Sequence, residues 1–211
     1  MDNINPYFYD LIINIESFDD LKSKGWKIDT TEPGIDKYEY YKATNEDKDI
    51  EKKKLNRIGV LGVSNVGKTF ILKQLINKKD EDIPKTKGIS IIYPEKNTDN
   101  LFVCIDSQGS EEPIIDQKKE KEEIYKLNGT QRKDLVKKLS KDKKCIEIFI
   151  QDFIIEKSNI LIVVVDQLTF SEQKLINRLK QKQNFLINYL SFIIHNFLKV
   201  KKLLKNILKM L

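Results

Sequence analysis

Residues 62–69 read Gly-Val-Ser-Asn-Val-Gly-Lys-Thr and match the pattern Gly-x-x-x-x-Gly-Lys-Ser/Thr at every specified position. The two glycines let the backbone curl so that successive N–H groups point at one anion. Lys68 can reach the β- and γ-phosphates of a nucleotide, and the Thr69 hydroxyl is a ligand for Mg²⁺. The pattern therefore predicts a nucleoside triphosphate site, whose binding residues are Gly62, Ser64, Asn65, Val66, Gly67, Lys68, Thr69 and Phe70.

Two further segments have residues suited to a bound phosphate and its metal. Asp106 ends an apolar run and Gly109 lies three residues on, so a carboxylate can act near Mg²⁺ and a glycine N–H can meet the γ-phosphate. Thr86 precedes the apolar run that begins at Ile89, where a loop threonine can complete the coordination of Mg²⁺; the alternative is an ordinary polar loop residue. We expect the metal ligands to be Thr69, Thr86 and Asp106, and the catalytic residues to be Lys68, Thr86 and Gln108.

The elements that must position these residues alternate between strand and helix patterns. Residues 160–166 form the strongest strand candidate and are expected to be buried on both faces. Strands are predicted at residues 55–61, 89–93, 101–106, 160–166 and 192–195, and helices at residues 68–77, at 146–155 and from residue 171. This order predicts an α/β fold, a three-layer P-loop sandwich with a mainly parallel sheet.

Residues 1–54 differ in character from this alternating region. Phe8, Leu11, Ile12 and Ile15 have the spacing of a short amphipathic helix. We expect an N-terminal arm docked through Trp26 and nearby tyrosines, followed by a charged linker. Residues 107–145 are highly charged and are expected to be mobile. The predicted organisation is an arm and linker at 1–54, a P-loop domain at 55–196 and a basic amphipathic helix at 197–211.

Charge and composition exclude several classes of function. The formal net charge is +6, but no carboxylate side chain follows Glu172. The positive excess therefore belongs to residues 173–211. Only three basic residues are arginines, so nucleic-acid binding is not expected. Two cysteines and a single histidine cannot supply a zinc site or a disulfide framework. No secretory signal or spanning apolar run is visible, and we expect a cytoplasmic location.

Taken together, the loop at 62–69 and the segments 86–89 and 106–109 resemble the nucleotide domain of small GTPases. In detail they are similar to the guanylate-binding-protein and atlastin branch of the dynamin-like large GTPases, over residues 55–196. The resemblance implies GTP and GDP as ligands, Mg²⁺ as cofactor and a homodimer that forms through the nucleotide face.

The chain departs from that branch at three places. Asn65 stands where the branch carries an internal arginine finger, which is worth about 10³–10⁵-fold in rate, so we expect slow hydrolysis. His195 and Asn196 fall where the branch carries an Arg-Asp pair that contacts guanine, and they are the candidate base contacts. The fold normally continues beyond this point, so we expect a domain truncated at its C-terminal end, an incorrectly predicted terminus, or a tail that replaces the missing element.

The leading interpretation is a guanine-nucleotide-binding protein with slow, Mg²⁺-dependent hydrolysis and nucleotide-dependent switching. The alternatives are a non-catalytic P-loop protein that serves as an interaction module, and an ATP-binding relative. In the tail, apolar residues form one helical stripe, which predicts binding to a membrane surface or a partner's groove, or packing on the chain's own domain.

Overall fold

The computed structural model describes residues 8–15, 17–46, 55–76, 86–98, 102–110, 124–181 and 188–193. The strands are β1 (Leu11–Asn14), β2 (Lys27–Thr30), β3 (Asn56–Leu61), β4 (Ile89–Ile92), β5 (Phe102–Ser107), β6 (Ile160–Val165) and β7 (Asn188–Ile193). The helices are α1 (Phe18–Ser23), α2 (Glu32–Glu46), α3 (Lys68–Ile76), α4 (Gly129–Lys157) and α5 (Phe170–Gln181). Within these residues the seven strands form one sheet in the order β2-β1-β4-β5-β3-β6-β7.

The sheet has a parallel part and an antiparallel part. β3 lies between β5 and β6 and is parallel to both, and β7 is parallel to β6. β4 is antiparallel to β5 and to β1, and β1 is antiparallel to β2. The carboxyl ends of the parallel strands meet at one edge, where ligands bind in α/β proteins. The predicted α/β P-loop NTPase fold is confirmed, with a parallel core that three antiparallel strands extend.

The two faces of the sheet carry separate apolar cores, which makes the fold three layers deep. All six residues of β6 are buried, as predicted for a strand covered on both sides. Ile160, Ile162 and Val164 join the cluster that includes Ile71 and Leu72 of α3. The residues that alternate with them pack on the other face, in a cluster with apolar residues of α4 and α5. Helices therefore cover both faces of the sheet.

The predicted helix at Phe8 to Ile15 is wrong, because β1 occupies Leu11–Asn14. β1 forms ladders with β2 on one side and β4 on the other. A short apolar run fits helix and strand periodicity equally well, so its neighbours in space decide between the two. Here β4 pairs with β5 on one side, and its other edge pairs with β1.

The predicted mobility of residues 107–145 is wrong for residues 129–145, which lie in α4. Asn128 caps this helix, since its side-chain oxygen accepts the N–H of Gln131 at 2.9 Å. Lysine and leucine, which recur in residues 129–145, have high helix propensity. A highly charged segment can therefore still form a helix. The charged half of α4 therefore continues directly into the apolar stripe predicted at residues 146–155.

The described part of the N-terminal segment continues the same sheet rather than lying beside it. β1 and β2 extend the sheet beyond β4. Trp26 packs on α4, with ring centroids 5.2 Å from Phe149 and 5.9 Å from Phe153. Lys37 of α2 forms a salt bridge with Glu95 at 2.7 Å. Trp26 thus contacts a helix of the predicted P-loop region, and the arm and the domain boundary at residue 55 stay predictions.

The last described strand, β7, begins earlier than predicted and ends at Ile193. The base contacts predicted at His195 and Asn196 and the helix predicted at 197–211 lie outside the described residues. Among the helices that the structure describes, none has the length and apolar character needed to cross a membrane.

Candidate nucleotide-binding site

The loop between β3 and α3 is built around backbone positions that side chains would block or strain. Asn65 and Gly67 adopt positive φ angles of 63° and 88°. Gly62 lies so close to β6 that an added Cβ would stand 2.6 Å from a β6 carbonyl oxygen. The Lys68 ammonium donates to the Val63 carbonyl oxygen at 2.8 Å. Lys68 is buried at the first position of α3, so its charge lies inside the loop where a phosphate would enter.

The other residues predicted in the loop have mixed surroundings. Val66 and Phe70 are partly buried and pack against the core beside α3. The Ser64 N–H donates to the Ser110 carbonyl oxygen at 2.9 Å. Asn65 is exposed at the tip. The loop is therefore exposed at Asn65 and packs against the core through Val66 and Phe70.

Three oxygen atoms from distant parts of the chain meet beside Lys68. The hydroxyl of Thr69, at the start of α3, donates to Asp106 Oδ2 at 2.9 Å. The hydroxyl of Thr86, in the loop before β4, donates to the same oxygen at 3.1 Å and lies 3.2 Å from the Thr69 hydroxyl. Hydroxyl and carboxylate oxygens are the ligands that Mg²⁺ prefers. The three predicted metal residues are thus brought together in a donor set that fits this ion.

The Asp106 carboxylate is wholly buried near the end of β5. Burial raises the pKa of Asp106, and this effect is opposed by a hydrogen bond from Tyr9, by the charge of Lys68 and by the hydrogen bond from Thr69. A cation bound at the hydroxyl oxygens would place positive charge beside this buried carboxyl group.

Tyr9 belongs to this group, and the sequence reasoning missed it. Its hydroxyl donates to Asp106 Oδ2 at 2.7 Å, and its oxygen lies 2.8 Å from the Thr86 hydroxyl oxygen. Burial, and then the charge of Asp106, raise the pKa of Tyr9, so the hydroxyl stays neutral. The residue precedes Asp106 by 97 positions and follows no known spacing. Only its place just before β1 brings it to the site.

The two loops after α3 and β5 are joined to each other and to the phosphate loop. The Gln108 side-chain oxygen accepts the Gly88 N–H at 3.1 Å, and the Gln108 N–H donates to the Gly88 carbonyl oxygen at 2.8 Å. An added Cβ on Gly109 would stand 2.5 Å from the Ser64 Cα. Gln108, predicted to be catalytic, thus links the two loops, and Gly109 rests directly on the phosphate loop.

Neither a reactive cysteine nor a second metal-binding cluster is found near the site in the part of the chain that the structure describes. Burial, with a smaller effect of the Asp106 charge, raises the pKa of Cys104 to about 12, so the thiol is not a nucleophile at neutral pH. Among the described residues, no three His, Cys, Asp or Glu side chains form a cluster that could hold a metal ion. The metal candidates are therefore the two threonines and Asp106.

Comparison with known proteins agrees with this geometry. A model of the 50S ribosome-binding GTPase family matches residues 57–196, which include the phosphate loop, Thr86 and the segment 106–109. No curated protein matches the chain. The family match covers well over half of the chain and makes a guanine nucleotide the ligand of the site. The chain belongs to the 50S ribosome-binding GTPase family.

Proposed function

We propose that this chain binds Mg²⁺·GTP in the loop at residues 62–69, hydrolyses it slowly and changes the arrangement of its two neighbouring loops with the state of the nucleotide. The observation that carries the proposal is the convergence of Thr69, Thr86 and Asp106 on one point beside the Lys68 ammonium. A glycine turn that only joined a strand to a helix would not require Lys68, Thr86 and Asp106 to be buried together.

Each residue of the group has a distinct role in the proposal. Lys68 and the loop N–H groups hold the phosphates, and the hydroxyls of Thr69 and Thr86 hold the metal. Asp106 orients both hydroxyls through the hydrogen bonds that it accepts. When bound, Mg²⁺ supplies positive charge that offsets the charge of the phosphate oxygens. Catalysis would consist of positioning and charge stabilisation, with no covalent step.

The arginines of the chain support slow hydrolysis. None of the three lies in the phosphate loop, where Asn65 occupies the exposed tip. Each donates to acceptors of the protein: Arg57 to the Lys157 carbonyl, Arg132 to carbonyls at residues 124, 125 and 127, and Arg178 to Asp152. Without an arginine at the transferred phosphoryl group, a rate gain of about 10³–10⁵-fold is missing.

Switching follows from the contacts of Gly109 and Gln108. Gly109 is close-packed against Ser64 of the phosphate loop, so a γ-phosphate that accepts the Gly109 N–H would act directly beside that contact. The paired hydrogen bonds between Gln108 and Gly88 would carry the movement to the loop before β4. The two loops would then respond to the γ-phosphate as one unit.

Calorimetric titration of the purified protein with GTP, GDP and ATP in Mg²⁺ tests the binding claim. We expect GTP and GDP to bind at micromolar or lower concentration and ATP to bind more weakly. Equal affinity for ATP would reject guanine preference. Phosphate release measured against Lys68→Ala tests hydrolysis, and turnover no higher than in that variant would remove the enzymatic claim.

A nucleotide-binding protein without turnover is the second candidate function. The hydrogen bond from Gly88 to the Gln108 side chain favours it, because this side chain is engaged in a loop contact rather than aimed at a water molecule. Nucleotide binding combined with background phosphate release would select this candidate.

We further propose, on the resemblance of segments 86–89 and 106–109, that the chain is related to the guanylate-binding-protein and atlastin branch and forms a homodimer through its nucleotide face. Light scattering after gel filtration, with GDP and with a non-hydrolysable GTP analogue, tests this. A dimer only with the analogue supports the proposal, and a monomer in both states contradicts it.

A further inference from the structure

We propose that Tyr9 is a positioning residue of the metal site, whose hydroxyl holds Asp106 and Thr86 in the arrangement that binds Mg²⁺. This inference rests on the proposed function, that the site takes Mg²⁺·GTP. It assigns to the segment before β1 a direct part in the nucleotide site, although the phosphate loop lies more than fifty residues further along the chain.

The contacts of the hydroxyl carry the argument. The Tyr9 hydroxyl donates to Asp106 Oδ2 at 2.7 Å, a shorter hydrogen bond than the 2.9 Å bond from Thr69 or the 3.1 Å bond from Thr86. It also lies 2.8 Å from the Thr86 hydroxyl oxygen. The Tyr9 hydroxyl thus contacts two of the three candidate metal residues, Asp106 and Thr86.

Packing fixes the Tyr9 ring in this position. Tyr9 is only 3% exposed, and Phe8 beside it is 1% exposed. The two rings are in edge-to-face contact, with centroids 4.8 Å apart and planes at 89°. Both belong to the core cluster that contains Ile71 and Leu72 of α3, the helix that begins at Lys68. The ring is therefore anchored to the same core as the phosphate loop.

Backbone contacts of the next residue fix the main chain of Tyr9. The Asp10 N–H donates to the Ile91 carbonyl oxygen of β4 at 3.0 Å. The Asp10 carboxylate is buried, accepts the Tyr93 N–H at 2.7 Å and pairs with the Lys37 ammonium at 3.3 Å. The Tyr9 side chain is therefore already fixed before a ligand binds. Binding then costs no further conformational entropy at this residue.

Removal of the hydroxyl has a specific expected effect. Asp106 would lose its shortest hydrogen bond while remaining wholly buried. Thr86 would lose a fixed partner in a loop whose position must be correct for metal binding. Groups that orient metal ligands in this way typically contribute about 10–100-fold to metal affinity. Binding of the nucleotide without metal depends on Lys68 and the loop N–H groups and would be unaffected.

The test compares Tyr9→Phe with the matched control Tyr41→Phe. Tyr41 is also buried, and its hydroxyl donates to the Glu95 carbonyl oxygen at 2.8 Å. Each protein is loaded with a fluorescent GDP analogue, and release of the analogue is followed as Mg²⁺ is varied, with EDTA as the metal-free limit. Thermal melting of the nucleotide-free proteins is measured in parallel.

We expect Tyr9→Phe to need about 10–100-fold more Mg²⁺ for half-maximal slowing of release, with a release rate in EDTA close to wild type. Tyr41→Phe should match wild type in both conditions. An unchanged Mg²⁺ requirement in Tyr9→Phe would overturn the inference, as would tighter Mg²⁺ binding, which would mean that the hydroxyl competes with the metal. Equally faster release with and without Mg²⁺ would also overturn it, because a purely structural role has that signature. If wild type fails to bind the analogue at all, the proposed function is rejected instead.

Discussion

At the scale of single residues, Asp106 is the centre of the site. One of its oxygens lies within hydrogen-bond distance of three hydroxyl groups, while the side chain has no exposed surface. Burial raises its pKa, while the hydrogen bonds from Tyr9 and Thr69 and the charge of Lys68 act in the opposite direction. A cation bound at the hydroxyls would add positive charge beside this carboxyl group.

We predict that Asp106→Asn weakens Mg²⁺-dependent nucleotide binding about 10–100-fold, because the amide has no charge and offers one acceptor oxygen. Calorimetric titration with GDP at several Mg²⁺ concentrations measures this. Asp152→Asn is the matched control, since that carboxylate pairs with Arg178 and is partly exposed. Equal effects of the two substitutions would contradict the assignment of Asp106.

At the scale of elements, glycines set how closely the loops approach the strands. Gly88 has a φ of +50°, and an added Cβ would stand 2.1 Å from the Ile13 carbonyl oxygen of β1. Gly25 has a φ of +79° but no atom within 4 Å of such a Cβ. The two positions share a left-handed backbone and differ in the space around it.

We predict that Gly25→Ala costs about 1–2 kcal/mol in unfolding free energy, the ordinary cost of a left-handed alanine. Gly88→Ala should cost clearly more, because neither the β1 backbone nor the loop can yield without loss of hydrogen bonds. It should also weaken Mg²⁺-dependent binding, since Thr86 lies two residues away. Urea unfolding of both variants provides the comparison, and equal losses would contradict the close contact with β1.

The start of α5 depends on a buried carboxylate. Glu172 is 1% exposed and accepts the Asp166 N–H at 2.6 Å and the Thr169 N–H at 2.7 Å. Thr169 and Glu172 have the spacing of a capping box. Burial alone would raise the pKa of Glu172, but the backbone hydrogen bonds from Asp166 and Thr169, with the bond from the Thr169 hydroxyl, outweigh it and lower the pKa.

Because the folded-state pKa lies below its ordinary value of 4.5, this group stabilises the fold above that pH and loses its contribution as the pH falls through the folded-state pKa. We predict that Glu172→Gln costs about 1–3 kcal/mol at neutral pH, since the amide places a donor against backbone N–H groups. Urea unfolding between pH 3 and 7, in steps of about 1 unit, should show less loss on acidification in the variant. The exposed Glu156→Gln should leave the pH profile as in wild type, and parallel profiles for wild type and Glu172→Gln would contradict the prediction.

At the scale of the whole molecule, the segment before residue 55 and the nucleotide-binding region share one sheet. β1 lies between β2 and β4, and the Tyr9 hydroxyl bonds to Asp106 of β5. Trp26 packs on Phe149 and Phe153 of α4. The described residues of the N-terminal segment are therefore joined to the nucleotide-binding region by strand pairing and by side-chain contacts.

We predict a single cooperative unfolding transition for the two parts. Trp26 is the chain's only tryptophan, so its fluorescence reports on the N-terminal segment, while circular dichroism reports on all helices. The midpoints of the two signals in urea should coincide, as required for two-state unfolding. An earlier midpoint for the Trp26 signal would mean that the segment unfolds on its own and would support a domain boundary near residue 55.

Binding of nucleotide should stabilise this whole unit. With Mg²⁺·GDP at about 100 times its Kd, we predict that the unfolding free energy rises by about 2.7 kcal/mol. Thermal melting with and without the ligand measures this, and Lys68→Ala should show a much smaller rise at the same concentration. A rise of equal size in the variant would mean that the ligand binds elsewhere.

Much of the site could be predicted from the sequence because its requirements are local. The loop at 62–69 needs particular residues at adjacent positions, and Asp106 and Gly109 follow directly from a strand. β6 was recognisable because six consecutive apolar residues fit a strand buried on both faces. Local backbone geometry and local burial leave a pattern in the order of residues, and that pattern can be read without a structure.

Only the tertiary structure decided that Leu11–Asn14 is a strand and that Tyr9 reaches Asp106. The first depends on the free edge of β4 and the second on the packing of Phe8 against the core beneath α3. Such contacts join residues dozens of positions apart, and their free energy comes from burial and hydrogen bonds formed after the sheet assembles. The sequence by itself thus determined the phosphate-binding chemistry, and the fold decided which distant residues complete it.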